Sequence, residues 1–276
     1  SQLTVMSPDI HAACSSGDTD AIKRALHFDP DLIHEERDGY VPVQRTIPAY
    51  PEALACLIEG GEDPNRSIRK VHWFQWEDEA AARGVTGWRL IHMAALHGYH
   101  ENSTRTLEVL RQFRADLAAP SPLHGYSALH LAAIPNMQRV VRWFVENGIV
   151  VDVRSEKTKA SCDWSQLMDT SPFHPFNGSN VTPLMIACGE GHFDTAHALI
   201  QLGADVSAQD SSGHAPLHYA AGGYWTNRQQ DYAGIVELLR QHGASPNIQD
   251  QQGRRPVDLA HMKKYGAIVT LLERSA

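Results

Sequence analysis

Apolar residues in this chain fall into short helical groups separated by glycine-containing turns. The clearest group is Val181-Thr182-Pro183-Leu184-Met185-Ile186-Ala187-Cys188-Gly189-Glu190-Gly191-His192, and a second closes at Leu202-Gly203-Ala204-Asp205. Together they predict a helix, a turn and a second helix. The pattern restarts 33 residues later at Ala215-Pro216-Leu217-His218-Tyr219-Ala220-Ala221. A fixed period of that size is the signature of a repeat array and has to be tested before any other reading.

Aligning the apolar residue at the Leu184 position gives Ile10, Val43, Ile91, Leu129, Leu184, Leu217 and Val257, spaced by 33, 48, 38, 55, 33 and 40. This predicts seven units with insertions between some of them. The closing glycine locates the insertions. Gly148 and Gly203 each fall 19 residues after their anchors, whereas Gly243 falls 26 after Leu217, so extra residues separate the helices of that unit near 222–232. A smaller excess lies near 99–104, in the unit that closes at Arg114. The two large excesses follow closing turns and place long inserts at about 66–85 and 158–178. The units then run about 8–37, 38–65, 86–120, 125–157, 179–211, 212–250 and 251–276, read as one domain spanning 1–276.

The chemistry of a single unit supports this division. Pro42, Pro183, Pro216 and Pro256 each precede the anchor, and proline is tolerated at a first helical position because its missing N–H has no partner to lose. Thr182 and Ser127 stand where an N-cap hydroxyl is useful. Gly17, Gly98 and Gly191 fall seven after the anchor, where a short helix ends and a left-handed residue fits. Second helices carry helical apolar spacing, as in Val140-Val141 with Phe144-Val145. In Val43-Gln44-Arg45-Thr46-Ile47-Pro48 a proline cuts the first helix short.

These units resemble ankyrin repeats, whose pattern is a β-turn and two antiparallel helices with T-P-L-H-x-A and a 33-residue period. Here it stands as Thr182-Pro183-Leu184, Pro216-Leu217-His218-Tyr219-Ala220, Ala128-Leu129-His130-Leu131-Ala132 and Gly203-Ala204-Asp205-Val206. The resemblance covers about 8–276 apart from the long inserts and is strongest from 125 to 260; the end units depart as capping repeats do. It implies an all-α ankyrin-repeat solenoid. It also implies that the histidines after the anchor, His11, His92, His130 and His218, are structural hydrogen-bonding residues.

Composition narrows the function. A net charge of −8 disfavours nonspecific phosphate binding. No run of 18 apolar residues exists, so no transmembrane helix is expected, and the first residues lack the features of a signal peptide. The chain begins at serine rather than methionine, which is compatible with a removed upstream segment. Of four cysteines, Cys14, Cys56 and Cys188 read as small buried hydrophobes and Cys162 lies in the second insert. This usage fits a reducing compartment, and a cytoplasmic protein is expected.

The motifs of catalysis and cofactor binding are missing. There is no H-E-x-x-H, C-x-x-C, G-x-S-x-G or phosphate-cradling glycine loop in the sequence. No metal, no cofactor and no enzymatic activity are expected; an enzyme would have to assemble His72, Cys162, Asp163 and His174 from the inserts. Nucleic-acid binding through Arg66, Arg69 and Lys70 with stacking tryptophans is opposed by the adjoining Glu77-Asp78-Glu79.

Aromatic residues concentrate in the inserts: Trp73, Phe74 and Trp76 in the first, Trp164, Phe173 and Phe176 in the second. They either pack the inserts onto neighbouring repeats or face a partner, since tryptophan and tyrosine are over-represented at interface hot spots. In the ankyrin fold the inter-unit turns project as fingers beside a concave helix face, so both inserts are expected on one edge. Tyr224-Trp225-Thr226-Asn227 would form a lesser patch at the other helix ends. The expected function is a non-catalytic, monomeric protein-interaction module. Its candidate contact residues are Trp73, Phe74, Trp76, Tyr126, Trp164, Phe173 and Phe176, and its partner is another protein, a basic one suiting the acidic charge. The alternative is an inhibitor or immunity-type protein that neutralises a toxin or enzyme.

Overall fold

The computed structural model describes residues 9–68, 87–122, 125–156, 179–223 and 232–274. The fold is an all-α ankyrin-repeat array. Strand-like pairing among the described residues is confined to isolated bridges, Arg37 with Tyr40 and Ile68 with Trp88. The chain divides into two compact units, Ser1–Ala119 and Pro120–Ala276.

The first unit holds α1 (Ile10–Ser16), α2 (Thr19–Phe28), α3 (Pro51–Glu59), α4 (Leu90–Leu96) and α5 (Ser103–Gln112). Asp9 and Asp18 cap α1 and α2 by accepting the backbone N–H of Ala12 and Ala21, which satisfies donors that have no partner inside the helix. The unit anchored at Val43 has no α-helix at its start. Pro42–Thr46 forms one 3₁₀ turn, and the Ile47–Pro48 peptide is cis, so the interruption expected from Pro48 is present. Second helices α2, α3 and α5 pack in sequence, burying Ile22, Leu54, Leu57, Leu107 and Leu110 completely.

The second unit holds α6 (Ala128–Ala133), α7 (Gln138–Glu146), α8 (Pro183–Glu190), α9 (Phe193–Gln201), α10 (Pro216–Gly222), α11 (Tyr232–Gln241), α12 (Pro256–Lys263) and α13 (Gly266–Glu273). First helices α6, α8, α10 and α12 pack on one another in order, and second helices α7, α9, α11 and α13 do the same. Ala132, Ala187, Ala220 and Ala260 are fully buried at the anchor-plus-three position; a methyl there lets the short first helices lie close. Each fully buried leucine or isoleucine contributes about 1.5–3 kcal/mol relative to exposure, so every repeat depends on its neighbours.

Backbone conformation marks the register. The closing turns carry left-handed residues at Gly61, Arg114, Gly148, Gly203 and Gly243. Arg114 therefore adopts the conformation of the glycine it replaces, with φ +60°. Gly17 and Gly191 end α1 and α8 with φ +71° and +75°. Gly98 departs from expectation: it is not left-handed. Helix α4 ends at His97 with φ −92°, and the chain turns through His100 N–H to the His97 carbonyl before α5. The extra residues near 99–104 carry out the reversal that a single left-handed residue makes at Gly17, Asn136, Gly191 and Lys264.

Candidate functional site at the finger turns and insert necks

The histidines that follow the anchors tie each first helix to the next finger turn. His92 Nδ1 accepts the Arg89 N–H and its Nε2 donates to the Ala119 carbonyl at 2.9 Å. His130 Nδ1 accepts the Ser127 N–H and lies 2.9 Å from the Ser127 hydroxyl, while Nε2 donates to the Val181 carbonyl at 2.9 Å. His218 repeats the arrangement between Ala215 N–H and the Arg254 carbonyl. One accepting and one donating nitrogen define a neutral ring. Burial pushes His92 and His130 down to about 4 and lowers His218 as well. His11 bonds the Glu35 carbonyl, but the residue three before it is Pro8, which has no N–H to offer.

In the second unit the finger turns are locked by buried aspartates. Asp210 accepts the backbone N–H of Ser212 and His214 and the Tyr219 hydroxyl. Asp250 accepts Gln252 N–H, Arg254 N–H and the Arg254 Nε at 2.7 Å. Burial pushes both carboxyls up, but these hydrogen bonds outweigh it and hold them below the usual carboxylate range. His214 lies between the two, 3.3 Å from Asp210 and 3.4 Å from Asp250. Side chains then link finger to finger. Arg154 donates to the Gln209 carbonyl, and Gln209 donates to the Gln249 carbonyl. These three residues each stand six after a closing glycine; that spacing was the available signal, though the chain reads there only as turn.

Backbone and serine-hydroxyl hydrogen bonds close the necks of the long inserts. For the first, Ile68 N–H donates to the Trp88 carbonyl at 2.8 Å and Gly87 N–H to Ser67 Oγ. Trp88 is buried edge-on against His92. For the second, Ser155 N–H donates to the Val181 carbonyl, Asn180 N–H to the Ser155 carbonyl, and Val181 N–H to Ser155 Oγ. Arg154 also donates to the Asn180 carbonyl.

Trp73, Phe74, Trp76, Trp164, Phe173 and Phe176 lie outside the described residues, as do His72, Cys162, Asp163, His174, Arg69, Lys70 and the patch Tyr224 to Asn227. Tyr126 is a correction. It is fully buried, stacked on His130 at 5.1 Å, because the finger-return position packs on the tethering histidine, as Trp88 does on His92. It therefore offers no surface to a partner. Arg66 is also committed internally, to Glu62 and His34, and is not spare for a phosphate. The Ser127 hydroxyl meets the His130 ring, whereas Thr182 caps α8 as expected through Met185 N–H. Cys14, Cys56 and Cys188 are buried. Among the described residues no group of three His, Cys, Asp or Glu is placed to hold a metal ion. No described helix is long and apolar enough to cross a membrane.

Comparison with known proteins agrees with this geometry. NF-kappa-B inhibitor alpha of Sus scrofa is 28% identical over 206 residues, covering 68% of this chain and 55% of that protein. The E3 ubiquitin-protein ligase KEG of Arabidopsis thaliana is 25% identical over 90% of this chain but only 16% of its own length. The chain thus spans about half, or much less, of these curated relatives. Among solved structures, the ankyrin repeat domain of Bcl-3 superposes with a TM-score of 0.65 at 21% identity, covering 96% of this chain and 97% of that one. The human ASB11 ankyrin repeat domain gives 0.67 at 20%, covering 96% of each. Both show the fold alone. The ankyrin-repeat model (3 copies) matches 162–250 and 184–276, and the single ankyrin-repeat model matches 124–156. With more than half of its residues matched by these two models, the chain belongs to the ankyrin-repeat family, whose repeats are protein-interaction modules and generally carry no catalysis of their own.

Proposed function

We propose that this protein binds a partner protein along its finger turns and through the two long inserts. The observation that supports this reading is the construction of the necks. Each insert leaves and rejoins the scaffold through backbone hydrogen bonds at Ile68 and Trp88 or at Ser155 and Val181. A loop held at a rigid base loses less freedom on binding, which favours affinity, and loops on rigid scaffolds are common binding elements. The net charge of −8 favours a basic partner.

A narrower reading is inhibition of the bound protein. It draws on the relative named NF-kappa-B inhibitor alpha, which aligns with 68% of this chain. The test begins with affinity capture and identification of the bound protein. Trp73→Ala combined with Trp164→Ala should then weaken its binding by at least about 2 kcal/mol with unchanged helical content. A parallel loss of helicity would show that these aromatics pack the scaffold. An assay of the partner's own activity, with and without this chain, separates inhibition from simple binding.

A further inference from the structure

Glu62 breaks the pattern of the closing turns. After Arg114, Gly203 and Gly243 the chain places Ala115, Ala204 and Ala244, at 8%, 8% and 5% exposure, and after Gly148 it places the half-buried Ile149. After Gly61 it places a glutamate that is 3% exposed. The fold accepts a methyl group there, and burying a carboxylate in its stead carries a desolvation cost that pairing does not generally recover. Such local conflicts between residue and environment concentrate at functional positions.

The partners of Glu62 show what the glutamate holds. Arg66 Nη1 lies 3.2 Å from one carboxylate oxygen and 3.4 Å from the other. The same nitrogen donates to His34 Nδ1 at 2.9 Å, on the 3₁₀ turn Pro30–His34 of the preceding repeat. Arg66 is two residues before Ile68, where the neck of the first insert closes. On the other side, Asn65 donates to the Arg114 carbonyl and accepts the Asp116 N–H at 2.7 Å, reaching the following repeat. The strand entering the insert is thereby held from both flanking repeats.

We propose that Glu62 and Arg66 form a positioning clamp that fixes the entry to the first long insert, and that the buried glutamate serves presentation of the insert rather than stability of the fold. The purpose of the clamp rests on the proposed binding role; its existence does not, and it is tested without a partner. The experiment compares Glu62→Ala, Arg66→Met and the double variant by thermal unfolding and by hydrogen exchange of the full chain. Glu62→Ala recreates the alanine of three other turns and leaves Arg66 free to reach solvent. Its melting temperature should stay within about 2 °C of the parent or rise. Exchange of the neck amides Ile68 and Gly87 should accelerate at least tenfold, while those of Ser155 and Val181 stay unchanged. Arg66→Met should lower the melting temperature, because it strands a buried carboxylate; the double variant should recover the temperature and keep the fast neck exchange. Unchanged neck exchange in Glu62→Ala overturns the clamp. So does a fall of more than about 5 °C with protection lost evenly across the first unit, which would make Glu62 an ordinary stabilising residue. Recovery of neck protection in the double variant would also overturn it.

Discussion

His130 and Val181 are hydrogen-bonded across 51 residues of sequence, Nε2 to carbonyl oxygen at 2.9 Å. The bond spans the whole second insert and makes its length irrelevant to the packing of the repeats. Val181 also bonds Ser155 through both its N–H and its carbonyl, so one residue closes the neck and accepts the tether of the preceding helix.

The tethers predict a pH dependence. In an unfolded chain imidazole titrates near pH 6.5, whereas burial pushes His92 and His130 down to about 4 in the folded protein. Between those values the unfolded chain binds more protons, so acid shifts the equilibrium towards it. This stabilisation is fully present above about pH 6.5 and is lost as the pH falls towards 4, up to about 3 kcal/mol for each ring. Urea midpoints measured at pH 7, 6 and 5 should fall steadily; a flat series would show that the rings are not held neutral.

Gly125 should tolerate no side chain. Its φ is +68°, and an added Cβ would lie 1.7 Å from the Glu156 carbonyl oxygen. Backbone occupies that space and cannot rotate away. Gly125→Ala should cost at least about 2 kcal/mol, read by urea unfolding followed by circular dichroism. An unchanged midpoint would mean that Glu156 is free to move.

Arg114 offers the opposite change. A non-glycine residue at φ +60° carries about 1–2 kcal/mol of conformational cost, and glycine gives back only about 0.5–1 kcal/mol of that through its freer unfolded state. The bonds at this position use the backbone, Arg114 N–H to the Arg111 carbonyl and Asn65 to the Arg114 carbonyl. Arg114→Gly should therefore raise the melting temperature by a few degrees, and a decrease would show that the arginine side chain contributes packing.

Asp250→Ala removes three hydrogen bonds from a side chain that is 0% exposed. The part-buried N–H groups at Gln252 and Arg254 lose a charged acceptor, at up to about 1–3 kcal/mol each. Fast exchange of the Gln252 and Arg254 amides should accompany the loss of stability. Retained protection there would show that water or a neighbouring finger replaces the carboxylate.

The repeat was legible in the sequence because each unit writes its packing locally. Proline before the anchor, alanine on the buried face and glycine at the closing turn are demanded by backbone geometry within a few residues, so Thr182, Ala220 and Gly203 announce their roles without reference to the rest of the chain. The resemblance carried by those residues also supplied the structural role of His92, His130 and His218. What the tertiary structure decided depends on distances between units. Tyr126, an aromatic offered as a contact residue, proved a core residue because the finger-return position stacks on the tethering histidine. Arg66, one of a basic cluster by sequence, is held by a carboxylate at a position where three other units carry alanine. The link from Arg154 through Gln209 to Gln249 joins residues far apart in the chain. Hydrophobic periodicity records which face of a helix is buried; it does not record which polar side chain meets a carbonyl one repeat away.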